Sequence, residues 1–222
     1  MRKLYHFWLC PFSRKLRIVL AEKELEFELI FEKYWDRRSE FLRLNPAGQV
    51  PVLIEDQGAI LPESSAVCEY LEEMYPTPSL FGHDPEVRAE TRRLTAWFDL
   101  KFYEEVTRPL VEEKVLKRFM GMGQPDSEAM RVGRVNMRYH LDYIGWLAEH
   151  RNWLVADSVS LADIAAAAHL SCLDYIGDVP WDDYEAAKNW YVRLKSRPSF
   201  RPLLADNIQG LSPPQHYSDL DF

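Results

Sequence analysis

Cys10 stands directly before Pro11, with Ser13, Arg14 and Lys15 following within about one helical turn. Proline is favoured at the first position of a helix, so this order sets Cys10 at a helix N-terminus. Free N–H groups and the helix dipole favour a thiolate there. Ser13 could donate a hydrogen bond to the sulfur, and Arg14 and Lys15 could add positive potential. The same spacing also fits an inert, half-buried thiol. A second element is Gln49-Val50-Pro51. Proline cannot donate to a sheet ladder, so Pro51 belongs at an edge or a strand start. A cis Val50–Pro51 bond would turn the Val50 backbone outward to pair with an extended peptide; an ordinary trans proline is the alternative. The third element is Glu63-Ser64, which opens a helix after a strand. The hydroxyl of Ser64 and free N–H groups can hold a carboxylate there, and Glu63 can pair with an ammonium. Alone, that stretch reads as a plain capped helix start. Together the three offer a thiolate, a backbone edge and an amino-acid clamp, a set suited to a small thiol peptide.

The elements that position these residues follow from periodicity. Lys3 to Trp8 reads as a strand, Pro11 to Lys23 as a helix with Leu16, Ile18, Val19 and Leu20 on its buried face, and Phe27 to Phe31 as a second strand. Residues 36–44 read as helix and stop at the turn cluster Asn45-Pro46-Ala47-Gly48. Val50 to Ile54 and Ala59 to Leu61 read as a hairpin, and Glu63 to Tyr75 as a helix. The order βαβαββα implies one parallel pair and a later antiparallel hairpin. Beyond Pro85 there is no strand pattern; 86–122, 126–150, 160–176 and 183–196 read as helices. The expected division is a small α/β domain over 1–76, a linker over 77–85, an all-helical domain over 86–205 and an extended tail over 206–222. Ser160-x-x-Asp163 before an apolar run is a capping box whose value is in folding.

Composition narrows the function classes. The 222 residues carry a net charge of −8, which argues against general nucleic-acid binding. No stretch approaches the ~20 apolar residues of a membrane helix, and the N-terminus does not read as a secretory leader. The three cysteines, at 10, 68 and 172, have no metal-type clustering, so reduced thiols, a cytoplasmic location and no metal site are expected. Cys68 and Cys172 fall at core positions of helices.

Other features lie outside the thiol site. Lys114, Lys117, Arg118, Arg131, Arg134 and Arg138 outnumber Asp126 and Glu128 across the expected tip between two long helices, where Phe119, Met120 and Met122 are hard to bury. A basic, Met-bearing tip suits an acidic protein partner; a solvated hairpin is the alternative. Trp35 beside Arg37 has the composition of an interface hot spot, or of a lid over the thiol site. The ending His216-Tyr217-Ser218-Asp219-Leu220-Asp221-Phe222 reads as a docking motif or a disordered end.

The order strand, C-P-F-S helix, "NPAGQVPVL", "PESSAVCEYLEE" and a helical domain with "SLADIAAA" resembles the glutathione S-transferase superfamily over residues 1 to about 205. The resemblance implies a thioredoxin-like N-terminal domain with Pro51 cis, followed by an all-helical domain. It places Cys10 at the position of the catalytic Ser or Cys, and Gln49, Val50, Pro51, Glu63 and Ser64 at the glutathione site. "MRKLYHF", "EFLRLNPAGQVPVL" and the ending "HYSDLDF" resemble more narrowly the FtsZ-binding, cell-division branch of that superfamily. That branch implies a cytoplasmic homodimer that binds FtsZ polymers at midcell and promotes constriction, with no required cofactor and no evident glutathione chemistry. Trp35, Lys114, Lys117, Arg118, Met120, Met122, Arg131, Tyr217, Asp219, Leu220, Asp221 and Phe222 are then the expected partner contacts. The alternative is a glutathione-dependent transferase or thiol transferase using Cys10.

Overall fold

The computed structural model describes residues 1–220 and divides the chain into two compact units, Met1–Ser79 and Leu80–Phe222. The first unit is a four-stranded sheet in the order β2-β1-β3-β4, with β1 Arg2–His6, β2 Phe27–Phe31, β3 Val52–Ile54 and β4 Ile60–Pro62. β1 pairs parallel with β2, Leu4 opposite Leu29; β3 runs antiparallel to β1, Val52 opposite Tyr5, and β4 antiparallel to β3, Pro62 opposite Val52. The β1 strand stops at His6, two residues before the sequence pattern ends, because the chain turns there and Cys10 N–H donates to the Phe7 carbonyl at 3.1 Å. Helices α1 (Pro11–Glu22), α2 (Ser39–Leu44) and α3 (Ser64–Met74) complete the unit. Leu4, Leu16, Leu20, Phe41, Val52, Leu53, Val67 and Leu71 form its core, each worth about 1.5–3 kcal/mol on burial.

Lys23 closes the end of α1. Its buried ammonium donates to Glu72 Oε2 (2.9 Å), the Tyr75 carbonyl (2.6 Å) and the Pro78 carbonyl (2.9 Å), using all three protons. His6 is the opposite case. Its ring is buried, and neither nitrogen has a hydrogen-bond partner among the described residues. It lies edge-on to Trp8 at 4.5 Å and to Phe31 at 6.4 Å. Burial, then the charges of Arg17 and Arg14, push its pKa down to about 3.

The second unit begins with a long rod. It comprises α4 (Pro85–Ala96), a π-helical stretch (Trp97–Thr107), α5 (Arg108–Val111), a second π-helical stretch (Glu112–Leu116) and α6 (Lys117–Met120). Two buried histidines brace the wide turns of the first π stretch from neighbouring helices. His140 accepts from Trp97 Nε1 at 3.1 Å and meets Glu105 at 3.0 Å. His169 meets Thr107 Oγ1 at 2.9 Å and Asp99 at 3.5 Å. Helices α7 (Ser127–His150), α8 (Leu161–Tyr175), α9 (Glu185–Lys195) and α10 (Arg201–Leu204) follow. α8 is buried at every position. The expected capping box is present at its start. Asp163 accepts from the backbone N–H of Ser160 (3.0 Å) and Leu154 (2.8 Å), the Ser160 hydroxyl (2.7 Å) and Trp190 Nε1 (2.9 Å). Burial raises its pKa even against these four donors.

Asp163→Ala orphans four donors, all of them in buried hydrogen bonds, and is expected to cost about 2–4 kcal/mol in urea denaturation. His6 stays neutral in the fold while the unfolded chain takes up a proton below about pH 6.5. Stability should therefore fall as pH drops from about 6.5 toward 3, with a slope reaching about 1.4 kcal/mol per pH unit from this group. His6→Phe should flatten that slope in pH-dependent melting; an unchanged slope would assign the acid sensitivity elsewhere.

Candidate functional site

Strand direction gathers the chemical residues. β3 is antiparallel to β1 and β4 is antiparallel to β3. The C-terminal end of β1, the N-terminal end of β3 and the C-terminal end of β4 thus share one end of the sheet. Cys10 follows the first, Val50-Pro51 precedes the second and Glu63-Ser64 follows the third. Cys10 is the N-cap of α1 and its sulfur accepts from Ser13 N–H at 3.4 Å. The Cys10 thiol also points at the Val50 carbonyl, 3.8 Å away. The Val50–Pro51 bond is cis. Gln49 is held through its carbonyl by Asn45 Nδ2 at 2.8 Å. Gly48 takes φ +67°, a conformation that L side chains rarely adopt and that favours glycine. Asn45 was legible only as part of a turn cluster; its tie to Gln49 is tertiary information.

Two expectations about this site change. Burial raises the Cys10 pKa, and this outweighs the lowering by Ser13, Phe12 N–H and Lys15. Cys10 is half-buried, and its Sγ is placed to donate toward the Val50 carbonyl. Arg14 and Lys15 do not form an open positive surface: both are buried, Arg14 bonding the Trp8 carbonyl at 2.7 Å and Lys15 lying 5.7 Å from the Phe12 ring centre. At α3, the Glu63 carboxylate turns back on its own helix and accepts from Ser65 and Ala66 N–H, both at 3.0 Å. Two N–H groups expected to hold a ligand carboxylate therefore already have an acceptor. Glu63 keeps φ +74°, a region that side chains rarely adopt, and Ser64 is buried.

The expected partner contacts divide. Met120, Met122 and Phe119 are exposed at the tip, as are Arg118 and Arg131. Much of the basic charge is neutralised locally: Lys114 and Arg134 both grip Asp178 (2.7 and 2.9 Å), Lys117 pairs with Glu113 and Arg131 with Glu128, each at 2.6 Å. Trp35 is half-buried, edge-on to Phe7 at 5.4 Å and Tyr34 at 5.2 Å. Tyr217 is a correction. Its ring is fully buried, edge-on to Tyr175 at 5.0 Å, and its hydroxyl donates to the Leu203 carbonyl at 3.1 Å. An aromatic ring three residues past a proline pair finds a core position that periodicity cannot reveal. Asp219 is exposed and Leu220 half-buried; Asp221 and Phe222 lie outside the described residues.

Residues 9–74 match the glutathione S-transferase N-terminal domain and 107–198 the C-terminal domain. The chain belongs to the glutathione S-transferase superfamily. It is 51% identical to FtsZ-localized protein A of Caulobacter vibrioides over 100% of this chain and 98% of that protein. The solved structure of FzlA from C. crescentus superposes with a TM-score of 0.97 at 52% identity, covering 100% of this chain and 99% of that one. A glutathione S-transferase from Rhodospirillum rubrum superposes at 0.99 with 55% identity over the whole of both chains. The small mixed sheet followed by helices is the fold of that superfamily.

Because its pKa is raised, Cys10 should react slowly with a thiol reagent at pH 7, and the rate should climb only as pH passes above the ordinary range of a free thiol. Rapid labelling at pH 7 that vanishes in Cys10→Ala would show a reactive thiolate instead.

Proposed function

We propose that this chain is a cell-division protein that binds FtsZ polymers as a homodimer at midcell and promotes constriction without glutathione chemistry. The observation that carries this reading is the 51% identity to FtsZ-localized protein A across the full length, tail included. The site geometry supports it: the Cys10 thiol is pushed toward its protonated form and the α3 N–H groups carry an internal acceptor. The exposed Met120–Met122 tip, Arg118, Arg131 and Asp219 are the partner surface this reading uses. On a repeating polymer a dimer presents each patch twice, so weak contacts add by avidity. The second reading, a glutathione-dependent enzyme, draws on the likeness to the R. rubrum protein and on the meeting of Cys10 with Val50.

Arg118→Glu, Met122→Ala and Asp219→Lys should each reduce co-sedimentation with FtsZ polymers, while Cys10→Ala should leave it intact. Normal pelleting of the first three would discard these surfaces. Titration calorimetry with glutathione on the same preparation separates the readings: millimolar glutathione should give no heat of binding and no rise in melting temperature.

A further inference from the structure

Strand β2 is an edge of its sheet and pairs with β1 on one side only. The register is unbroken from Arg2 opposite Phe27 to His6 opposite Phe31, so the strand carries no bulge. It contains neither proline nor glycine. The Glu32 N–H donates to the His6 carbonyl at 2.9 Å. In a parallel ladder alternate residues turn both backbone groups toward the same neighbour. Residues 28, 30 and 32 therefore face β1, and Phe27, Leu29 and Phe31 turn their N–H and C=O groups outward. Among the described residues none of these outward groups bonds to another element. At roughly 3.3 Å per residue the open edge is about 17 Å long.

Side chains alternate between the two faces of the strand. Phe27, Leu29 and Phe31 share one face; the first two are half-buried, and Phe31 is 43% exposed and stacked near Trp8 at 6.3 Å and 23°. Glu28 lies on the other face, and Glu26 continues its parity just before the strand. Glu24, Glu26 and Glu28 are all exposed, and none lies within ion-pair distance of a cation among the described residues. Lys3, opposite Glu28 in the register, is exposed and makes no ion pair with it. These carboxylates are available, unlike the bases near the helix tip, which are largely spent on Asp178, Glu113 and Glu128.

An open edge offers a row of donors and acceptors to another chain. A second copy of β2 laid against it would set the carboxylates of Glu26 and Glu28 against themselves, and like charges directly opposite are destabilising. A segment of opposite charge fits. We propose that the open edge of β2 takes an extended, basic segment of a partner protein as an added strand. Main-chain bonds to Phe27, Leu29 and Phe31 hold the segment. Its basic side chains lie beside Glu26 and Glu28, and its apolar ones beside Leu29 and Phe31. The recognised sequence therefore alternates Lys or Arg with apolar residues over about five positions. This surface uses none of the residues of the FtsZ reading and does not depend on it.

The full chain and a capped, labelled peptide of about eight residues alternating Lys and Val test this. Fluorescence anisotropy should show saturable binding, and the Phe27, Leu29 and Phe31 amides should gain protection from hydrogen exchange when the peptide is present. Glu26→Lys combined with Glu28→Lys should weaken binding roughly tenfold, with the urea midpoint unchanged because both side chains are exposed. A peptide of the same charge, N-methylated at alternate residues so that its strand cannot pair, should not bind. No binding at millimolar peptide overturns the proposal. So does equal binding of the N-methylated peptide, or binding without new protection at the three amides, since either reduces the contact to charge attraction alone. Full affinity in the double Lys variant overturns the assigned role of Glu26 and Glu28 and with it the basic class of the segment.

Discussion

A helix buried on every side has to find a partner inside the protein for each polar group it carries. Helix α8 is such a helix, and it carries Asp163 at its start, His169 in its middle and Asp174 at its end, all buried. Much of the helical unit consists of answers to those three side chains. Asp163 draws in the 154–160 turn and Trp190 of α9. His169 reaches Thr107 and Asp99 and so fixes the π-helical stretch. Asp174 collects Trp181 Nε1 at 2.8 Å, the Tyr191 hydroxyl at 3.3 Å and His216 at 2.9 Å. Lys195 lies 3.9 Å from Asp174 and donates to the His216 carbonyl at 2.9 Å; burial lowers its pKa to about 8. His216 is thereby tied to the core, and Tyr217 is itself buried there. An unsatisfied buried carboxylate costs several kcal/mol, more than a surface contact returns.

The thiol site turns on a competition between a helix end and burial. A helix N-terminus favours an anion by about 0.3–1 kcal/mol. Desolvation of a buried group can move a pKa by up to about 3–5 units, at 1.36 kcal/mol each. Cys10 sits where both act, and burial wins. The converging strand ends still assemble the residues of a thiol-peptide site. What differs is how they are engaged: Cys10 toward the Val50 carbonyl, and Glu63 on its own helix. Assembly of the site follows from sheet topology, and reactivity from local solvation.

Surface features divide on the same physical ground. The Met-bearing tip is exposed because its glycines end a rod that has nothing beyond it to pack against: Gly121 and Gly123 have no atom near where a Cβ would stand. The basic residues around it are largely spent on Asp178, Glu113 and Glu128. Charge counted along a window overstates charge available to a partner, since carboxylates distant in sequence fold onto it. Asp178 lies 64 residues beyond Lys114, out of reach of any local count.

The sequence by itself determined the order of elements, the capping box at Ser160–Asp163, the exposed tip and the set of residues at the thiol site, because periodicity, proline and capping chemistry are local. Only the tertiary structure decided that burial pushes the Cys10 thiol up, that Glu63 answers its own helix, that Trp35 packs on Phe7 and that Tyr217 is core. Each of these depends on what a distant segment brings near. Solvation and pairing are properties of the neighbourhood, and the neighbourhood of Tyr217 is Tyr175 and Leu203, supplied by α8 and α10.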